Sequence, residues 1–150
     1  MSIDIGLEFE THIDLDLLEQ GVTVNLIRLI ASLRLQTKNG WTRRYKALID
    51  TGNPISVIPN SIWNKARINW LLPYKSELSG IGSGKVSGKL GEIVLVLVDE
   101  RTVSPPIKAK AFLLDNDKVP FLVGFEDILI DIKLVSDYRT KTAFLQIPLA

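Results

Sequence analysis

Apolar side chains in this chain come in short runs rich in Val, Ile and Leu, broken at regular intervals by turn residues, with little helical spacing. That pattern predicts a mostly β protein. Residues 22–36 and 41–50 flank Lys38-Asn39-Gly40, and Asn-Gly suits a two-residue hairpin turn because both central positions need positive φ. Residues 55–59 read as a short buried strand. Asn60 then stands as a capping residue before one or two helical turns, and Pro73 closes the excursion. A second hairpin is expected over residues 78–98, bending at Gly80-Ile81-Gly82-Ser83-Gly84, with a mobile tip. Strands are predicted at 107–114 and 119–123, on either side of an Asp115-Asn116-Asp117 turn. Apolar spacings of three and four predict a short helix over 125–130, and 142–148 reads as a final strand.

Composition narrows this picture to one compact domain. The chain has 150 residues, 46% of them hydrophobic, and no cysteine. At this length one core suffices without disulfides or a structural metal. Absent cysteine excludes a thiol nucleophile and a CxxC zinc site, and gives no sign of an oxidising compartment. The net charge of +1 conceals a split. Residues 1–20 carry Asp4, Glu8, Glu10, Asp14, Asp16 and Glu19 with no Lys or Arg, so the segment reads as an acidic, partly flexible leader before a domain at 21–150. The stretch from Arg28 to Lys46 is basic. It reads as a solvated strand face, or one turned to the acidic leader, since only Trp41 and Tyr45 interleave its charges and nucleic-acid binding is not expected. The N-terminus lacks the pattern of a signal peptide, and the longest apolar run, 93–98, is far below the ~20 residues that cross a bilayer. The expectation is a soluble intracellular protein with no membrane partner.

Candidate chemistry follows largely by elimination. The sole histidine, His12, lies among acids and reads as solvated, so it supplies no Ser-His-Asp triad. Gly82-Ser83-Gly84-Lys85 has part of a Walker A motif, but Val86 stands where Ser or Thr would hold magnesium, Ser79 stands at the first glycine position, and a strand pattern follows instead of a helix. No metal and no cofactor are expected. The informative segment runs from Ala47 to Pro59: an apolar strand delivers Asp50, Thr51 follows, Gly52 turns the chain, and a second apolar strand leaves through Ile55, Val57 and Ile58. The flanking residues argue for a turn inside the protein, where backbone and hydroxyl donors can orient the carboxylate. Trp41, Trp63 and Trp70 read as packing residues.

This segment resembles the active-site motif of retropepsin-like aspartic proteases: an apolar strand, Asp-Thr/Ser-Gly-Ala, then Ser/Thr-Val-Ile. Two further elements follow in that family's order. Gly80-Ile81-Gly82, opening a long hairpin, resembles the flap over the substrate, and Phe121-Leu122-Val123-Gly124 before a short helix resembles the element that completes the catalytic loop. Asn53-Pro54 and Phe125-Glu126 depart from the usual residues. The resemblance implies an all-β, retropepsin-like closed barrel with one or two short helices and a flap, acting as an aspartic endopeptidase without metal or cofactor. Asp50 is then catalytic, Thr51 and Gly52 support it, and Asn53, Gly80, Ile81, Gly82 and Gly124 contact an extended polypeptide substrate.

Peptide hydrolysis by carboxylates needs two of them, one ionised and one protonated. The chain has one such motif, so the partner must be Asp50 of a second copy in a symmetric homodimer. Residues 143–147 are a candidate interface strand, or equally a strand within one subunit. The other functional reading is a catalytically silent module of the same fold that dimerises or binds peptides.

Overall fold

A computed structural model describes residues 1–81 and 84–149. Its elements in chain order are β1 (Ser2–Gly6), β2 (Glu8–Ile13), α1 (Leu15–Glu19), β3 (Asn25–Leu35), β4 (Tyr45–Ile49), β5 (Ser56–Ile58), α2 (Asn60–Trp63), β6 (Asn69–Trp70), β7 (Ser76–Ile81), β8 (Gly84–Val98), β9 (Ile107–Leu114), β10 (Leu122–Val123), β11 (Lys133–Asp137) and β12 (Thr142–Pro148). The larger sheet runs β2-β3-β4-β10-β5-β9-β8-β6, with β7 beside β8. Because β3 also pairs with β8, the strands β3, β4, β10, β5, β9 and β8 close into a circuit. A small sheet, β1-β12-β11, completes the fold.

The period-two patterns explain what fills this circuit. Alternate residues Ala31, Leu33 and Leu35 of β3, Ile93, Leu95 and Leu97 of β8, and Ala109, Ala111 and Leu113 of β9 join one buried cluster. The opposite face of β9 is buried too: Phe112 and Leu114 pack with Val57, Val86, Val119 and Leu122. Both expected hairpins form, β3 with β4 and β7 with β8. The first does not use the expected two-residue Asn-Gly turn: Gln36 bridges Trp41 around a four-residue loop, closed by the Thr37 N–H donating to the Gly40 carbonyl at 2.8 Å, and a loop of this length needs no positive φ at Asn39 or Gly40. Gly82 and Ser83, on which the expected mobile tip and part of the flap motif fall, lie outside the described residues. Among the described residues no helix is long and apolar enough to cross a membrane.

Three other local expectations change, and one open alternative is decided. Charge alone sets residues 1–20 apart as a leader, yet they are woven into both sheets. Ile3, Ile5 and Leu7 alternate with polar residues, so β1 lays Ile5 fully buried in the core while Asp4 stays exposed. The strand β1 pairs with β12 and β2 with β3, and Lys46 of the basic stretch reaches Glu8 at 3.2 Å. The strand β12 lies between β1 and β11, so both its edges are hydrogen-bonded within the subunit and neither is open to a partner strand. Asn60 does not cap α2: it is the first helical residue, Pro59 occupies the cap, and Asp117 from the distant turn accepts the Ser61 N–H at 2.8 Å. The helix expected over 125–130 is a hydrogen-bonded turn leading to one 3₁₀ turn, Leu129–Asp131. Of the tryptophans, Trp63 donates to the Leu114 carbonyl and meets Trp70 edge-on, while Trp41 and Trp70 remain partly exposed.

Candidate active site

Asp50 follows the last residue of β4, at the start of the turn that leads into β5. Between these two strands runs β10, parallel to β4 and antiparallel to β5, with Leu122 opposite both Leu48 and Val57. The short apolar run Phe121-Leu122-Val123 suits that slot because it is buried on both faces. Its backbone holds the strand that presents Asp50. The Leu48 N–H donates to the Phe121 carbonyl and the Asp50 N–H to the Val123 carbonyl, each at 2.9 Å.

The turn is tied down residue by residue. The Gly52 N–H donates to Asp50 Oδ1 at 3.1 Å, which orients the carboxylate, and the Asn53 N–H donates to the Asp50 carbonyl at 3.2 Å. From the opposite side, the N–H groups of Phe125 and Glu126 donate to the carbonyls of Asn53 and Pro54 at 3.0 and 2.9 Å. Gly124 sits where these backbones meet and is itself buried, its N–H donating to the buried Ser56 Oγ at 3.0 Å. A Cβ at Gly124 would fall 2.6 Å from the Asn53 oxygen and 2.7 Å from the Ile55 carbonyl carbon. No side chain fits there.

Asp127 fixes this support from behind. It adopts a left-handed φ of 63° and accepts from both the Lys110 backbone N–H and the Lys110 ammonium at 2.9 Å, fastening the turn after Gly124 to β9. Partial burial works against the Asp127 charge. The hydrogen bonds and charge of Lys110 outweigh it and hold the carboxyl below its ordinary range, while Asp127 in turn raises Lys110.

Asp50 and Thr51 open onto a groove of about 290 Å³, whose walls are Ile27, Arg28 and Leu29 of β3, Leu48 and Ile49 of β4, Leu122, Leu134 and Tyr138. Thr51 is exposed. A larger groove of about 470 Å³, bounded by Gly6, Arg44, Asp99 and Arg101, does not include Asp50. The hairpin β7–β8 reaches the cluster beneath the Asp50 groove through its middle: Leu78 and Val86 pack with Leu122 and Leu48. Gly80 and Ile81 end β7.

Two residues expected to contact substrate sit elsewhere. Asn53 is 8% exposed and turns its Oδ1 to the Ile55 N–H, and Gly124 is buried behind the turn, so neither lines the groove. Burial of that kind is a property of the folded turn that its residue types do not announce. Sequence reasoning missed Ser56, Asp127 and Lys110 as supports, and Arg28, Leu134 and Tyr138 as groove walls. Ser56 was within reach, being the hydroxyl residue of the Ser-Val-Ile run. The others lie far from Asp50 in the chain, and only folding brings them in.

Comparison with known proteins gives this arrangement a context. A crystal structure of a retropepsin-like aspartic protease from Rickettsia conorii matches with a TM-score of 0.51 at 15% identity, covering 98% of this chain and 92% of that one. The chain has a retropepsin-like fold. No family model and no curated protein matches its sequence. The likeness is therefore one of architecture.

Proposed function

We propose that this protein is an aspartic endopeptidase whose active site forms when two copies bring their Asp50 carboxylates together. The observation that carries the reading is the placement of Asp50: in a retropepsin-like fold, it stands at the end of an apolar strand, oriented by the Gly52 amide and open to a groove. Two carboxylates about 3 Å apart do not both ionise readily, so the pair shares a proton across the two-fold axis. The ionised member takes a proton from water as that water attacks the peptide carbonyl. The protonated member donates to the carbonyl oxygen, and the proton gained from water then passes to the leaving amine.

Each remaining residue has a part in this reading. Thr51 hydrogen-bonds across the axis and Gly52 leaves room for the close approach. Asn53 and Gly124 position the turn from behind instead of touching substrate. The ends of β7 and β8, with Gly80, Ile81 and Gly82, cover an extended peptide and exclude water. The apolar walls Leu29, Leu48, Leu122 and Leu134 suit apolar side chains of that peptide.

The test is cleavage of denatured casein between pH 4 and 8, with and without a transition-state-mimicking aspartic protease inhibitor. Inhibitable cleavage that Asp50→Asn abolishes is the expected result. Cleavage unchanged in that variant overturns the proposal, and peptide binding without turnover identifies a silent module of the same fold.

A further inference from the structure

The segment from the end of β2 through α1 into β3 forms an arm with an unusual surface. Ile13, Leu15, Leu18, Val22, Val24, Leu26 and Ile27 are all large, apolar and between 38% and 71% exposed. Helix α1 buries none of its residues. Single exposed apolar side chains are ordinary, but seven within fifteen consecutive residues mark a surface made to be covered. The arm is also acidic, with Asp14, Asp16 and Glu19 and no base.

Three observations point to what covers it. The arm is continuous with the candidate active site, because Ile27, Arg28 and Leu29 form one wall of the groove that holds Asp50 and Thr51. The C-terminal strand offers no alternative, since β12 has both edges filled within its own subunit. Tyr138, also a wall residue of that groove, meets Phe9 of β2 edge-on and opens the β11–β12 turn, whose Arg139 and Lys141 are exposed bases. Among the described residues neither these two bases nor Asp14, Asp16 and Glu19 enters an ion pair.

We propose that a second copy of this chain covers the arm, and that the arm of each subunit lies across the two-fold axis against the 138–141 turn of the other. This inference rests on the aspartic endopeptidase reading, which requires the two Asp50 carboxylates to meet. A two-fold axis beside Asp50 necessarily runs close to Ile27 and Tyr138, so arm and turn are the elements facing a partner. An arm-on-arm contact would set three acids against three acids. Arm on turn sets acids against bases and removes the leucines from water, and the symmetry makes the contact twice. Each arm then forms part of the rim of a shared groove.

The experiment uses the full chain, with sedimentation velocity over a concentration series and casein cleavage measured side by side. Leu15→Asp with Leu18→Asp is expected to weaken the dimer at least tenfold while leaving the circular dichroism spectrum unchanged. Its cleavage rate should be lost at low protein concentration and recovered at high concentration, as mass action requires. A charge exchange then tests the pairing. Chains carrying Asp16→Lys and Glu19→Lys, and separate chains carrying Arg139→Glu and Lys141→Glu, are each expected to dimerise poorly and to dimerise well when mixed. Full dimerisation by the leucine variant overturns the proposal. So does failure of the mixture to restore association, and so does a raised KM without dissociation, which instead assigns the arm to substrate docking.

The two readings fail separately. Cleavage abolished by Asp50→Asn, together with an intact dimer in the leucine variant, removes the arm and keeps the enzyme. An arm-dependent dimer that never cleaves keeps the interface and removes the enzyme.

Discussion

The Asp50 turn and the β2–α1–β3 arm meet at one groove and are built on opposite principles. Around the turn, backbone donors from Asp50, Gly52, Asn53, Gly124, Phe125 and Glu126 all have partners within the subunit, and no space is left at Gly124 for a methyl group. The arm leaves seven large apolar side chains in water. A close-packed, internally satisfied element has one geometry and holds a reacting group in place. An element with unspent apolar surface gains from a neighbour. In the proposed reading, chemistry belongs to the turn and association to the arm.

The sharpest test of this division is the Asp50 carboxylate. Asp50→Asn should lower the rate of peptide cleavage by about 10²–10⁴-fold or more, the usual range for losing an acid–base group, with the melting temperature and oligomeric state unchanged. Loss of folding in that variant would mean that Asp50 is a structural member of the turn.

Next in size are the supports. Gly124→Ala must push a methyl group into the Asn53 and Ile55 carbonyls, and should lower unfolding stability by about 1–3 kcal/mol in urea titrations. Ser56→Ala strands the buried Gly124 N–H and should cost about 1–3 kcal/mol. Stability equal to the parent's in both variants would show that the turn is looser than its geometry implies.

A smaller effect depends on acid. Asp127 and Asp99 both have carboxyls held below the ordinary aspartate value of 3.8. For Asp99, desolvation opposes the charge, and the amides of Gly6, Arg101 and Thr102 more than offset it, which ties β1 to the loop after β8. A carboxyl depressed in the folded state contributes stability that is fully present above its unfolded value and is lost as pH falls through its folded value. Stability should therefore decline below about pH 3.8, and Asp127→Asn should flatten part of that decline in acid titrations followed by fluorescence. An unchanged acid slope would count against the Lys110–Asp127 clamp.

The smallest expected effect is on the arm. Leu15→Ala should change the stability of dilute monomer by no more than about 0.5 kcal/mol, as for exposed positions generally. Leu33→Ala, fully buried in β3, should cost about 2–5 kcal/mol. A large loss from Leu15→Ala would place the arm inside the core and dissolve the contrast.

Much of this was readable along the chain because the signals were local. Alternation gives strands their faces, Lys38-Asn39-Gly40 marks where the first hairpin bends but not the type of its turn, and Asp50-Thr51-Gly52 between two apolar runs marks the candidate site. Those relations span a few residues, and the chain carries them in order. Charge misled at residues 1–20, where the alternation of Ile3, Ile5 and Leu7 was the better guide: acids on one face of a strand do not prevent its other face from entering the core. The supports of the turn were hidden for a different reason. Lys110 and Asp127 are 17 residues apart, and the Ser61 N–H at the start of α2 finds its acceptor in Asp117, 56 residues on. No local preference encodes such a pairing.

The sequence by itself determined the strand-forming segments, the single carboxylate with its turn chemistry, and the absence of cysteine or histidine chemistry that could compete with it. Tertiary structure alone decided that β10 threads between the arms of the turn, that β12 has no free edge, and that the arm's leucines remain outside. Burial, edge occupancy and clasping are relations between distant segments, set when the pairing β3–β8 closes the sheet on itself.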